Sequence, residues 1–493
     1  MKDKKQNKRI NGGHRLLFFC ILCLFGLYVA VSYAEEQPQR EQSKTKVILL
    51  HTDNLTYDQY RHPGAQILTG NVQFQHDGVL MYCDSACFYE ATNSFDAFGH
   101  VKMVQGDTLD LVGDMLLYNG LDQLARVRHN VVLTHRESKL YTDSLDYDRL
   151  YELGYFFEGG KLVDKDNVLT SDWGQYSPPT RQAVFNYNVK LENPKFTLIS
   201  DTLNYNTLTS MAEIVGPSNI DSGDNHIYSE SGFYNTQTEE AILLDRSIVT
   251  NKGRKMVGDS LYYDSKSGVG EGFRNVVYTD EVNKNMLTGN YCYYNDSTGY
   301  SMATDSAVAI DYSQRDTMYM HADTFKVYTF YMDTDSMYRE VRGYHKVRSY
   351  RMDVQSVCDS LVFDSRDTCV TMYRDPIVWN GGQQVLGEVI KVYLNDSTID
   401  RIHVIDQTLS VERIDSVHYN QVAGKEMTSY FRDGEMYETW VNGNVYVDYY
   451  MFDDDSLMIG LNYTETTELK LFMKDRKMEK IWMPASTGVI YPI

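Results

Sequence analysis

Proline is scarce in this chain, nine in 493 residues, and cysteine is rarer still at seven. So few prolines exclude a proline-rich rod or linker. Five cysteines lie beyond residue 34, at Cys83, Cys87, Cys292, Cys358 and Cys369, an odd number with no C-x-x-C spacing. That excludes a disulfide framework or a zinc ribbon. Cys83 and Cys87 sit four residues apart on one strand-like stretch, about 13 Å in extended chain and beyond disulfide reach, so the thiols read as packing groups. Basic charge is also in deficit, 47 Lys and Arg against 68 Asp and Glu, a net −21. Residues 1–34 hold six Lys or Arg and one Asp, which leaves −26 on the remainder. A balance of that sign argues against nucleic acid and against adhesion to anionic membrane surfaces.

Long apolar runs are absent with one exception. A basic stretch, "MKDKKQNKRINGGHR", precedes "LLFFCILCLFGLYVAV" (Leu16 to Val31), and Ser32 and Ala34 supply small residues before a pair of glutamates. This reads as a secretory signal, residues 1–34, cleaved after Ala34, with a linker at 35–46. An uncleaved inner-membrane anchor is the alternative, because the run falls just short of the ~20 residues that span a bilayer. The mature chain would then lie in the periplasm. Catalytic constellations are missing too: no HExxH, GxSxG, phosphate-binding loop or Rossmann glycine pattern occurs, so the chain is read as a non-enzyme with no cofactor and no metal.

What the chain does have is tyrosine, 40 of them, and a period. An acidic or amide residue recurs at Asp53, Asp84, Asp114, Asp143, Asp172, Asp201, Glu230, Asp259 and Asn290, at steps of 29 to 31. Two residues after each comes a small or apolar side chain, and four after each an aromatic: Tyr57, Phe88, Tyr118, Tyr147, Tyr176, Tyr205, Tyr234, Tyr263, Tyr294. Nine copies in register mark a repeat whose units bury their apolar faces by stacking. Within each unit two alternating stretches of Tyr, Val, Leu, Phe and Thr are parted by turn residues such as "NPK", "NKGRK" and "YDSKSG". Two strands of about 10 to 12 residues and two turns fill 29 residues, a tandem β-hairpin.

The second strand of each unit carries its own marker, Gly or Asn before Val, as in "GNVQF" at Gly70, "GHVKM" at Gly99 and "YNVKL" at Tyr187. The acidic residue is expected near the start of its strand, beside a turn, rather than as a calcium ladder, since neither EF-hand loops nor glycine-rich nonapeptides occur. The regular repeat spans 47–299, residues 300–345 read as an irregular insertion, 346–406 as further β repeats, and 407–493 as a C-terminal β segment of shorter units.

The ordered run of Gly-Asn-Val and Asp-x-Leu-x-Tyr-Asp strands resembles the OstA-like branch of the LptA lipopolysaccharide-transport family, in its Bacteroidetes form. The resemblance covers Val47 to about Tyr294 and extends through "WVNGNVYV" and "STGVIYPI". It implies an all-β, elongated β-jelly-roll (a β-taco) of tandem two-strand repeats. In that family the apolar interior carries lipopolysaccharide acyl chains from an inner-membrane extractor to an outer-membrane barrel. The implied partners are lipopolysaccharide, the inner-membrane and outer-membrane components of the export machinery, and further copies of the chain end to end, with no nucleic acid. The chain is longer than the short bridge proteins and lacks a C-terminal run of barrel strands. Two strands per unit over roughly twelve units at 4.8 Å spacing give a ribbon on the order of 110 Å.

Alternation assigns the candidate lipid-groove residues: Leu55, Tyr57, Val72, Phe74, Val101, Met103, Leu116, Tyr118, Val131, Leu133, Leu145, Tyr147, Leu203, Tyr205, Leu261 and Tyr263. The same column could equally be a filled core. A structural or adhesive β-solenoid of the cell envelope, without lipid cargo, is the alternative function.

Overall fold

In the computed structural model the described residues are 45–493, apart from 314, 333, 353, 396, 397, 454, 456, 475 and 476. The signal-peptide reading at 1–34 and most of the linker at 35–46 lie outside them. The described residues form 34 strands and one short 3₁₀ turn at Glu90–Thr92. The long strands meet their sequence neighbours antiparallel, as strands joined by tight turns must, and the short ones lie end to end in pairs along a long neighbour. Alternation of β-branched and aromatic residues with polar ones is the cause. In Val79–Tyr89, Leu109–Asn119 and Phe196–Asn206, buried residues alternate with more exposed ones, the alternation shifting by one residue at the central acid. The fold is all-β and jelly-roll-like, and its regular repeat is built from strands of 11 or 12 residues.

The chain divides into two compact units. One comprises the described residues up to Thr134 together with Asp143–Gly154; the other comprises the described residues of His135–Thr142 and Tyr155–Ile493.

A sharp bend interrupts alternate long strands at their middle, made by Gly216 alone in Met211–Ser222 and by a pair of consecutive residues in others. Both residues of each pair have left-handed backbones: Gly70 and Asn71, Gly99 and His100, His129 and Asn130, Tyr187 and Asn188, Asp245 and Arg246, Arg274 and Asn275, Asp305 and Ser306, His345 and Lys346. The register shows the consequence. Thr69 pairs with Ser85 and Val72 with Cys83, so Gly70 and Asn71 face the single residue Asp84. Such a bulge folds a strand across its length. The parity of burial survives the bend, with Leu68, Val72 and Phe74 all buried, so one face remains inside on both sides. Each long strand therefore contributes to two walls that meet along a corner.

The acidic period has its explanation at this corner. Asp84, Asp114, Asp201 and Asp259 lie in the middle of their strands, not beside a turn as the sequence suggested. The asparagine of the neighbouring bend donates its side-chain amide to the acid: Asn71 to Asp53 at 2.9 Å, Asn130 to Asp114 at 2.6 Å, Asn188 to Asp172 at 2.6 Å and Asn275 to Asp259 at 2.8 Å. At other corners the partner is a histidine or an arginine, as in His100–Asp84 at 2.7 Å and Arg374–Asp359 at 3.2 Å. The two sequence markers are thus the two halves of one staple.

Residues 300–345 are not irregular. Tyr300–Asp311, Met318–Phe330 and Tyr338–Tyr350 continue the ladder with the same bends. Longer connections, residues 312–317 and 331–337, stretch the period and hid it. Nor are the later units shorter. Thr398–Arg413, Tyr419–Arg432, Glu435–Phe452 and Met458–Lys474 run to 16, 14, 18 and 17 residues.

Candidate functional site

Where the two walls face each other, the question is what lies between them, and the answer changes along the chain. In the first unit the space is filled. Val72, Phe74, Val101, Met103, Leu116, Tyr118, Val131, Leu133, Leu145 and Tyr147 are all at most 2% exposed. Phe74 stacks on Phe95 with ring centroids 4.1 Å apart. The rims are joined as well: His76 on one wall meets the Tyr118 hydroxyl on the other at 2.7 Å, and the Arg149 guanidinium donates to that hydroxyl and to the His76 carbonyl. Burial drives the His76 pKa down and that of the Tyr118 phenol up.

The second unit begins in the same way. Leu203 and Tyr205 are fully buried. Between opposite rims, His135 meets Tyr176 at 2.7 Å, Tyr205 donates to Asp164 at 2.8 Å, and Asn167 donates to Tyr205 and to Thr236, both at 2.9 Å. Lys165 reaches Ser210 at 3.2 Å, and Lys195 pairs with Glu239. In three units the tyrosine four residues after the acid is the seam residue: the rings of Tyr118, Tyr176 and Tyr205 fill the interior and their hydroxyls tie the rims together, whereas the buried Tyr147 hydroxyl makes no such bond. The hydroxyl suits that place because a buried phenol needs a partner.

Beyond about residue 250 the rim bonds named in the structure run along a wall instead, as in Asn251–Asn225, Ser265–Glu239 and Ser297–Ser267. Tyr263 and Tyr294, at the seam position, stack on each other with centroids 6.4 Å apart. Burial then shrinks toward the corner. Gly258, Gly289, Ala303, Ala307, Ala322 and Gly343 are buried there, with Leu261 and Phe325 beside them. These positions are small because the walls converge: a Cβ on Gly258 would come within 2.8 Å of the Leu261 side chain, and one on Gly343 within 3.2 Å of Phe325. Further from the corner the inward residues are apolar yet only half-buried, among them Met256, Leu287, Met320, Val341, Phe363 and Val392. The result is an apolar trough in the second unit, with a tight floor and walls that part toward the rims.

Of the residues assigned from the sequence, twelve lie in the filled interior, Leu261 at the trough floor (3% exposed) and Tyr263 half-buried on its wall. Leu55 and Tyr57 are 53% and 57% exposed, because their strand Asn54–Tyr57 is paired only with Gln66–His76. Sequence reasoning did not name Met256, Leu287, Met320, Val341 or Val392. Their alternation was visible, but nothing in it separates a half-open wall from a closed one. The thiols behave as packed groups: burial pushes Cys83 and Cys358 up to about 12 and Cys292 up to about 11. Among the described residues no group of three His, Cys, Asp or Glu side chains is arranged to hold a metal ion.

A family model described as OstA-like protein matches residues 44–201 and 196–259. No curated protein matches the chain. The matched stretch contains the filled interior and its seam, while most of the trough follows it. By this match, together with the bent-strand repeat it covers, residues 44–259 are similar to the OstA-like family.

Proposed function

We propose that this chain is a periplasmic lipid-binding bridge in lipopolysaccharide transport, and that the trough beyond Met256 holds acyl chains. The observation that carries the reading is the row of inward, half-exposed apolar side chains from Met256 to Val392. An acyl chain laid along them gains about 0.8 kcal/mol for each CH₂ removed from water. The OstA-like family supports involvement in lipopolysaccharide transport and is a transport and binding family rather than an enzymatic one. The acidic chain has no excess of cations to hold lipid phosphates, so the grip falls on the apolar tails. Partners in this reading are the inner-membrane and outer-membrane components of the export machinery.

The filled interior of the earlier strands favours a second reading, a cargo-free structural protein of the cell envelope. Photo-crosslinking separates the two. A crosslinker at Val341 should trap lipopolysaccharide and one at Arg342, on the opposite face, should not. Lipid adducts at neither position, together with purified protein free of lipid by mass spectrometry, would leave only the structural reading.

A further inference from the structure

The rims of the second unit enclose a cavity of another kind. About 240 Å³ in volume, it is lined by His135, Arg136, Glu137, Ser138, Asp164, Arg181 and Thr207. At roughly 30 Å³ per water this is space for about eight water-sized groups. The lining is polar, and His135, Ser138, Asp164 and Thr207 are each under 10% exposed. Arg136 and Glu137 come from the turn on one rim, Arg181 and Thr207 from the other.

Its two guanidinium groups are unusual. In a chain with 68 acidic residues, neither Arg136 nor Arg181 has an ion pair or a side-chain hydrogen bond among the described residues. Both line the one cavity and lie near the same neighbours: burial first, and then both guanidinium groups, hold the His135 pKa down, while burial holds the Tyr176 phenol above its ordinary value and the two cations offset that only in part. They therefore face a shared space. The buried acid in that space does not answer them. One Asp164 oxygen accepts from the Ser138 hydroxyl at 2.7 Å and the other from Tyr205 at 2.8 Å. The remaining acid, Glu137, is exposed.

We propose that this cavity binds a phosphate monoester carried on a hydroxylated group. Two guanidinium forks suit a dianion with several equivalent oxygens, which they can engage bidentately. The carboxylate, imidazole and hydroxyl groups opposite offer acceptors and donors to alcohol groups on the same ligand. The volume exceeds what a bare phosphate needs. The reading does not depend on the trough: net charge sets the long-range field of the chain, whereas binding here is decided by two local cations.

Calorimetry on the full chain tests it with glucose 6-phosphate, glucose and inorganic phosphate, and a flotation assay compares phosphatidic acid with phosphatidylcholine vesicles. The expected result is binding of glucose 6-phosphate with a Kd at least tenfold below those of inorganic phosphate and glucose. Arg136→Gln and Arg181→Gln should each weaken it tenfold or more, while Lys139→Gln, an exposed cation on the adjoining strand, should leave it unchanged. Arginine-dependent capture of phosphatidic acid vesicles alone would place the monoester on a lipid headgroup; binding of the soluble sugar would place it on a free metabolite. Inorganic phosphate binding as tightly as the sugar ester would overturn the hydroxylated half of the proposal. No phosphate probe bound, or binding that survives both arginine substitutions, would overturn it entirely.

Discussion

At the corner, the residue that matters is the second of the two left-handed ones. Asparagine tolerates that backbone and also reaches the acid on the next strand, so it serves twice. Asn130, with φ of 52° and its amide 2.6 Å from Asp114, is a suitable test. Glycine there keeps the backbone and loses an exposed bond worth about 1 kcal/mol. Valine loses the bond and adds strain of about 1–3 kcal/mol in a region closed to β-branched side chains. In urea denaturation Asn130→Val should therefore lower stability clearly more than Asn130→Gly; equal losses would mean that the bend is held by something other than its backbone. The sequence displayed both halves of this staple as recurring letters, and their spacing was read correctly. Their contact was not legible, because the residue before the asparagine varies among Gly, His, Tyr and Arg, and because aspartate favours turns strongly enough to suggest one.

Strands built to one pattern end in two states, filled and half-open, and the difference lies at their rims. In the filled strands His76, His135, Asp164 and Asn167 meet tyrosine hydroxyls or a threonine across the gap. Later strands carry the same inward alternation without those rim partners among the described residues, and Met256, Leu287 and Phe363 stay half-exposed. Period and alternation were therefore enough for the fold, whereas the trough depended on which polar groups meet across some forty residues of sequence, a pairing no local pattern encodes. The energetic consequence can be measured. Phe185, 1% exposed between filled walls, should cost about 3–5 kcal/mol when replaced by alanine, through lost burial and a residual cavity. Phe363, on the open wall, already touches water in part, and Phe363→Ala should cost less than half as much by the same denaturation midpoint. A similar loss at both sites would show that the later walls are closed in solution.

Taken as a whole, the ladder has ends, and a sheet end is a row of backbone groups without partners. In the first unit, Ile48–His51 and Asn54–Tyr57 pair with Gln66–His76 and with no other described strand. Ile48, Leu55 and Tyr57 are each more than half exposed there. In the second unit, Lys477–Trp482 and Thr487–Pro492 pair with Met458–Lys474 alone, and Ile490 and Tyr491 are 60% and 54% exposed. Strand addition is the recognition mode such edges favour, since main-chain bonds supply affinity and the exposed apolar side chains supply register. A bridge needs it at both ends, whereas a free-standing scaffold would be expected to blunt its edges with charge or proline; Ile48–His51 and Asn54–Tyr57 carry neither, while Glu479, Lys480 and Pro492 guard the other edge in part. Photo-crosslinkers at Leu55 and at Ile481 should therefore capture envelope proteins or a second copy of the chain in intact cells. A crosslinker at Lys190, which lies on an interior strand hydrogen-bonded on both sides, should capture none by this route. Capture at Lys190 with silence at both edges would rule out end-to-end pairing and with it the bridge.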